Sequence, residues 1–381
     1  MPKVTSGTLR VDLANQTSSN RVYAYITGRA IDNNNALFLL RSDGKTPFYP
    51  SSPSAIGSNL PADIAISLGG PGNTIHCIIP RIAGGRIWFS VDQPLVFKLN
   101  PGPALVEPSV TNPTDPNINI NWSFAEFTYN SFQLFANITY VDFVGVPIAL
   151  TLTGDGHPTQ HVSGMRENGV DLVANGLRAQ EAKDGRKWSA LIVQSGGRNL
   201  RVLSPNNVHM ANPDLFKNYW DPYVDQVWNH YRSVDVAINT QAGYGNVRGR
   251  VANNNQLAFQ GAGGFNRPSA MDIFSSNTGP FATGSNQERN TVIPRLAAAF
   301  NRSTLLLSNN HPNGVRADQY YKNPITNHYS RIVHETNLDK KGYGFPYDDV
   351  TPDGGEGQEG AVASGNPTLF TLTVGGRNAH T

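Results

Sequence analysis

The sequence predicts a mostly β protein: a β-sandwich or barrel holding both ends of the chain, with an α+β segment inserted into it. Three observations carry this. Short segments rich in β-branched and aromatic residues fill residues 1–155, separated by Gly, Pro, Asn and Asp clusters. Apolar residues begin to recur at helical spacing after Gly154-Asp-Gly. Strand character returns at Thr368–Val374.

Taken in order, the expected strands are Val22–Thr27, Ala36–Leu40, Ile64–Leu68, Thr74–Ile79, Arg86–Val91, Leu95–Leu99, Phe124–Tyr129, Asn137–Phe143 and Pro147–Leu152. Gly164–Lys183 then places Val170, Val173 and Leu177 on one helical face, and Asp214–Tyr231 carries an aromatic stripe through Tyr219, Tyr223 and Tyr231. Strand pairs are expected in Val234–Gln260 around Asn253-Asn-Asn, and short helices over Pro294–Phe300 and Pro324–Asn337. Thr351–Gly365 reads as a Gly-rich acidic loop. The simplest division is a β domain over 1–155, an inserted α/β domain over 156–330, and a return to the β domain over 331–381, since chain ends commonly lie together in one domain.

Composition narrows the partners. Hydrophobic residues make up 39% and charged residues 15% of the 381, with a formal net charge of +2. That supports a true core and argues against nucleic acid or an anionic membrane as partner. A neutral surface rich in Asn, Gly and Thr suits an uncharged polymer such as a polysaccharide. Cys77 is alone in the chain, so it forms no internal disulfide and reads as a small buried hydrophobe. No apolar run reaches the length of a membrane span. Met1-Pro2-Lys3 leads straight into a strand pattern without a visible signal peptide, while sequons at Asn15, Asn121, Asn137 and Asn301 suit an exported glycoprotein.

Two carboxylates stand out. Glu126 sits in Trp122-Ser-Phe-Ala-Glu-Phe-Thr-Tyr-Asn130, and Asp142 in Asn137-Ile-Thr-Tyr-Val-Asp-Phe. A charge within an apolar strand is costly unless something compensates it. A hairpin with its loop at Ser131–Ala136 sets Glu126 opposite Asp142, on one face with Thr128 and Asn130. Paired acids hold their protons unequally, as glycoside hydrolysis requires. Edge-strand charges facing solvent would give the same spacing. A second acidic group, Tyr347-Asp348-Asp349, reads either as a turn or as a set of partners for sugar hydroxyls, and lacks companions at metal-ligand spacing.

Phe124-Ala-Glu-Phe-Thr, Val141-Asp-Phe-Val-Gly-Val-Pro, Gly84-Gly-Arg-Ile-Trp88 and the Tyr347-Asp-Asp segment resemble the acidic-cleft strands of thaumatin-like proteins. Those are tied by many disulfides, which a single cysteine forbids. The chain more closely resembles glycoside hydrolase family 64, the laminaripentaose-producing β-1,3-glucanases, over most of its length, in Ala136-Asn-Ile-Thr-Tyr-Val-Asp-Phe-Val-Gly-Val-Pro-Ile above all. The resemblance implies a thaumatin-like β-sandwich or barrel, an α/β domain and a wide groove between them. It implies endo-hydrolysis of β-1,3-glucan with inversion, Glu126 as general acid and Asp142 as general base. Thr128, Asn130, Thr139, Asp348 and Asp349 match sugar-contacting positions, and Arg86 a strand of the acidic cleft.

Inversion needs the two carboxyls roughly 6.5–9.5 Å apart to admit a water, and neither a cofactor nor a metal. Tyr129, Phe135, Tyr347 and Trp122 are expected to offer rings to the sugar. Trp220, Tyr223 and Trp228 suit the far wall or, by their spacing, helix packing. The partner expected is β-1,3-glucan, the protein a secreted monomer. The competing reading is a non-catalytic, thaumatin-like glucan-binding protein.

Overall fold

A computed structural model of the chain describes residues 5–377; the Met1-Pro2-Lys3 start lies outside them. Among the described residues the strands form two large sheets and three small ones. The first large sheet runs in the order His157–Val162, Ile148–Gly154, Pro367–Val374, Thr8–Asn15 and Thr74–Pro80. Its central pair, Thr8–Asn15 and Pro367–Val374, is parallel, so the two ends of the chain lie side by side. The second sheet runs Ala361–Ser364, Leu134–Ile138, Asn121–Tyr129, Ile82–Val91, Val22–Ala30, Ala36–Leu40 and Pro47–Phe48, with Ile66–Ser67 joined to Val22–Ala30.

Side-chain alternation builds a core on each face of this second sheet. Ala24, Ile26, Ile87, Phe89, Ala125, Phe127, Leu134 and Ala136 point to one side, where Val11, Leu13, Leu150 and Leu372 of the first sheet meet them. Tyr25, Trp88, Trp122 and Phe124 point to the other and form a separate aromatic cluster with Phe97 and Phe143. The arrangement is a sandwich of open sheets; none closes into a barrel among the described residues.

Helices and small sheets occupy the chain between Val162 and Ala361. The helix Gly169–Asp184 packs on His328–Thr336 so closely that a Cβ on Gly176 would meet Ile332 at 2.8 Å. That contact packs residues 328–336 against the helix, and the next strand of the second sheet is Ala361–Ser364. The helix expected at Pro294–Phe300 is the second half of a longer one, Gln287–Asn301, with Pro294 in its interior. Asn286 starts it by accepting the Arg289 N–H, a cap that needs no proline. The aromatic stripe holds a shorter helix, Asp221–His230, and Trp220, Tyr223, Trp228 and Tyr231 are all buried, so they pack the interior and line no groove.

Candidate functional site

The aromatic face of the second sheet turns polar partway along. On Asn121–Tyr129, Trp122 and Phe124 lie on the outer face, and Glu126 and Thr128 continue their row. Cross-strand pairing brings Arg86 opposite Glu126 on one side and Asn137 opposite it on the other. These residues, with Glu107, Phe135 and Gly84–Gly85, line an open cleft of about 420 Å³. Gly85 is required there: a Cβ would come within 2.5 Å of the Phe127 ring.

The hairpin register differs from the expected one. Glu126 faces Asn137, not Asp142, and Thr128 faces Phe135. The cause is a tighter turn. Asn130 accepts the backbone N–H of Phe132 at 2.8 Å and of Gln133 at 3.0 Å through its Oδ1, closing the reversal at Asn130–Gln133 in place of Ser131–Ala136. Asn130 is thereby committed to the turn.

The segment that carries Asp142 follows another route. After Ile138 the chain leaves the sheet, and Thr139 makes an isolated bridge to Tyr343. Phe143 then seats its ring 4.8 Å from Trp122 and 6.2 Å from Phe124, on the outer-face row that leads to Glu126. The inserted block fixes the segment from above: Ser204 N–H and Asn207 Nδ2 both donate to the Asp142 carbonyl, at 2.9 and 2.8 Å. Asp142 is half-buried, and burial raises its carboxyl, against the opposing pull of the Arg86 charge and of Asn207. Cross-strand neighbours have Cβ atoms only about 4.5–5.5 Å apart. The observed register removes that constraint, because the two acids are not neighbours on paired strands.

Arg86 lies between acids. Its Nη1 donates to Glu107 Oε2 at 2.5 Å, while Nη2 and Nε reach Glu126 Oε1 at 3.3 and 3.4 Å. The guanidinium stands 4.8 Å from the Phe124 ring centroid, a cation–π contact that holds it to the sheet. Burial raises Glu107, with Arg86 lowering it and Glu126 raising it further.

The Tyr347-Asp348-Asp349 segment divides in two. Asp348 is fully buried: it bonds Arg302 at 2.9 Å, His334 at 2.8 Å and the Gly344 N–H at 2.9 Å. It braces the inserted block and cannot touch a sugar. Asp349 is exposed, and its charge, after burial, raises the neighbouring Tyr343. Tyr347 is half-buried at a φ of 70°, packed against the core. Tyr129 is also withdrawn from the groove, since its ring is in the core and its hydroxyl donates to Ser6 O at 2.6 Å. Trp122 is buried in the aromatic cluster. Thr128 and Phe135 line the cleft, and Thr139 is half-buried beside Tyr343.

Sequence reasoning missed Glu107 and Asn137, which line the cleft, and Asn207, which donates to the Asp142 carbonyl. Asn207 and Glu107 carry no local signal, because each is brought in from another sheet or helix. The sequon asparagines Asn15, Asn137 and Asn301 are buried, which removes them as glycan acceptors in the folded chain.

A glucan endo-1,3-β-glucosidase from Cellulosimicrobium cellulans is 27% identical over 297 residues, and one from Arthrobacter sp. (strain YCWD3) is 26% identical. Those matches cover 76% of this chain but 51% of each relative, so the chain spans about half their length. A laminaripentaose-producing β-1,3-glucanase solved in complex with laminaritetraose superposes with a TM-score of 0.84 at 30% identity, covering 97% of this chain and 99% of that one. A family 64 domain from Clostridium beijerinckii shares the fold at a TM-score of 0.75 and 21% identity, covering 98% of this chain and all of that one. The profile of the β-1,3-glucanases of glycoside hydrolase family 64 matches residues 7–374, and this chain belongs to that family.

Proposed function

We propose that the chain is an endo-acting hydrolase of β-1,3-glucan that releases short laminarioligosaccharides, laminaripentaose among them. One observation carries the reading: a half-exposed Glu126 lines an open cleft beside Arg86 and Glu107, and the segment of Asp142 packs on the same sheet through Phe143. Family membership supports the substrate class. The two large sheets are read as the thaumatin-like part and the inserted block as the opposite wall of the groove. The enzyme is further read as a secreted monomer.

The chemistry is a single displacement. Glu126, protonated, donates to the leaving glycosidic oxygen, and that C–O bond breaks. Asp142, ionised, takes a proton from a water that attacks the anomeric carbon from the opposite side, so the configuration inverts. Thr128 and Phe135, which line the cleft, together with Thr139 and Asp349 are read as partners for sugar hydroxyls and ring faces. Neither acid requires a metal for this step.

Incubation with laminarin and curdlan tests the reading. Wild type is expected to release soluble oligosaccharides, and Glu126→Gln to lose at least a hundredfold in rate, the usual contribution of a general acid being about 10²–10⁴-fold. Retention on curdlan without any product would overturn the hydrolase and leave a glucan-binding protein.

A further inference from the structure

We propose that Glu107 is a positioning residue for the reaction: it holds Arg86 to one side of the cleft and leaves Glu126 free to keep the proton it donates. This rests on the hydrolase reading above and adds a residue to it.

Arg86 carries one charge and meets two carboxylates. The bond to Glu107 is short, at 2.5 Å, while both contacts with Glu126 are at the long end of hydrogen-bonding range and fall on the same oxygen, Oε1. An arginine fork free to choose would engage both oxygens of one carboxylate at about 2.7–2.9 Å. Here Arg86 is divided: Nη1 goes to Glu107 Oε2, and both contacts with Glu126 fall on Oε1, which leaves Oε2 as the oxygen to carry a donated proton.

The placement of Glu107 is built by packing. It follows the strand Ala104–Val106, which pairs with Lys98–Asn100, itself paired with Ser58–Asn59. Leu95, Phe97 and Leu99 anchor that small sheet in the aromatic cluster beneath the cleft, and Leu105 packs against them. The hairpin therefore delivers the carboxylate over the sheet at a fixed height. The charged groups around Arg86 are Glu107 from this hairpin, Glu126 from its own paired strand, and Asp142 from the segment beyond Ile138. Across from Arg86 on the other side is Thr27, and across from Glu126 is Asn137, neither of which titrates.

Without the Glu107 charge, Arg86 is shared between Glu126 and Asp142 alone and favours the ionised form of Glu126, which cannot donate. The effect has a defined direction. The alkaline limb of the kcat/KM profile, where the general acid loses its proton, should move toward lower pH.

The experiment is the pH profile of kcat/KM on laminarin for wild type, Glu107→Gln and Glu107→Asp, with thermal unfolding of each to establish folding. Glu107→Gln is expected to shift the alkaline limb down by about one pH unit, the lower end of what an adjacent arginine does to a carboxyl. Glu107→Asp, which keeps the charge, should hold the limb near its wild-type position. An alkaline limb that stays in place in Glu107→Gln, with activity reduced by one factor at every pH, overturns the proposal and leaves a structural ion pair. A Glu107→Asp limb displaced as far as that of Glu107→Gln overturns it too. If Glu107→Gln does not fold, Glu107→Ala is read by the same criteria. A wild type that releases no oligosaccharide overturns the hydrolase reading together with this one, so the two failures are distinct.

Discussion

Asp142 is the residue whose environment most directly predicts a pH response. Burial raises its carboxyl, and Asn207 and Arg86 restrain the rise. A general base works only when ionised, so the acid limb of kcat/KM should lie above the ordinary aspartate value of 3.8. Asn207→Ala removes one restraint and should move that limb to still higher pH, read from the same profile. A limb moving to lower pH would separate Asp142 from the base role. Asp348 carries a prediction of a different kind. Burial would raise its carboxyl, but His334, Arg302 and the Gly344 N–H outweigh that and hold it low; His334 is raised in turn by Asp348 against its own burial. The Asp348 contribution to stability is present above 3.8 and lost as pH falls through its lowered value. The His334 contribution is complete below 6.5 and lost as pH rises through its raised value. Stability from this cluster should therefore peak in mildly acidic solution. Asp348→Asn leaves Arg302 buried beside a neutral partner and should cost about 3–5 kcal/mol in urea unfolding, with the cleft residues untouched.

At the scale of elements, the site depends on how one hairpin and one departing segment meet. Phe143 is the seat of that segment, wedged against Trp122 and Phe124. Phe143→Ala should cost about 3–5 kcal/mol in stability and lower kcat more than it raises KM, because it releases Asp142 and leaves Thr128 and Phe135 in place. Equal kcat in wild type and variant would show that Asp142 is positioned by Asn207 and Ser204 alone. This is also the scale at which the sequence was hardest to read. The strands over 22–30, 36–40, 74–80 and 121–129 are legible from β-branched and aromatic runs bounded by turn residues. The register of the 121–138 hairpin is not, because Asn-Ser-Phe-Gln closes a turn only once Asn130 is seen capping it, and a shift of an odd number of residues exchanges the faces of a strand. The same logic separates Asp348 from Asp349: adjacent aspartates look alike in sequence, and only the arrival of Arg302 and His334 from distant helices buries one of them. The strand pattern after Met1-Pro2-Lys3 is Thr8–Asn15, where Leu9, Val11 and Leu13 alternate inward with the polar Arg10 and Asp12 between them.

Over the whole molecule, the sandwich supplies a rigid floor and the inserted block supplies reach. Sheet pairing of Asn121–Tyr129 with strands on both sides fixes Glu126, whereas Asp142 is held from the inserted block by Ser204 and Asn207 and by the pairing of Phe143 with Leu203. The Gly-rich loop after Val350 ties the two parts again, since Asp353 accepts from Asn239, Gln241 and Asn313 before the chain re-enters the sheet at Ala361. The proposed acid and base are thus held by different parts of the chain, and the proposed inversion needs room between them for a water. The stereochemistry of the first product tests this most directly. Proton NMR of laminarin during the first minutes of hydrolysis should show the α-anomer of the new reducing end appearing ahead of mutarotation. Initial release of the β-anomer would mean retention and a nucleophilic carboxylate close to Glu126, contradicting the assignment of Asp142 as a base acting through water.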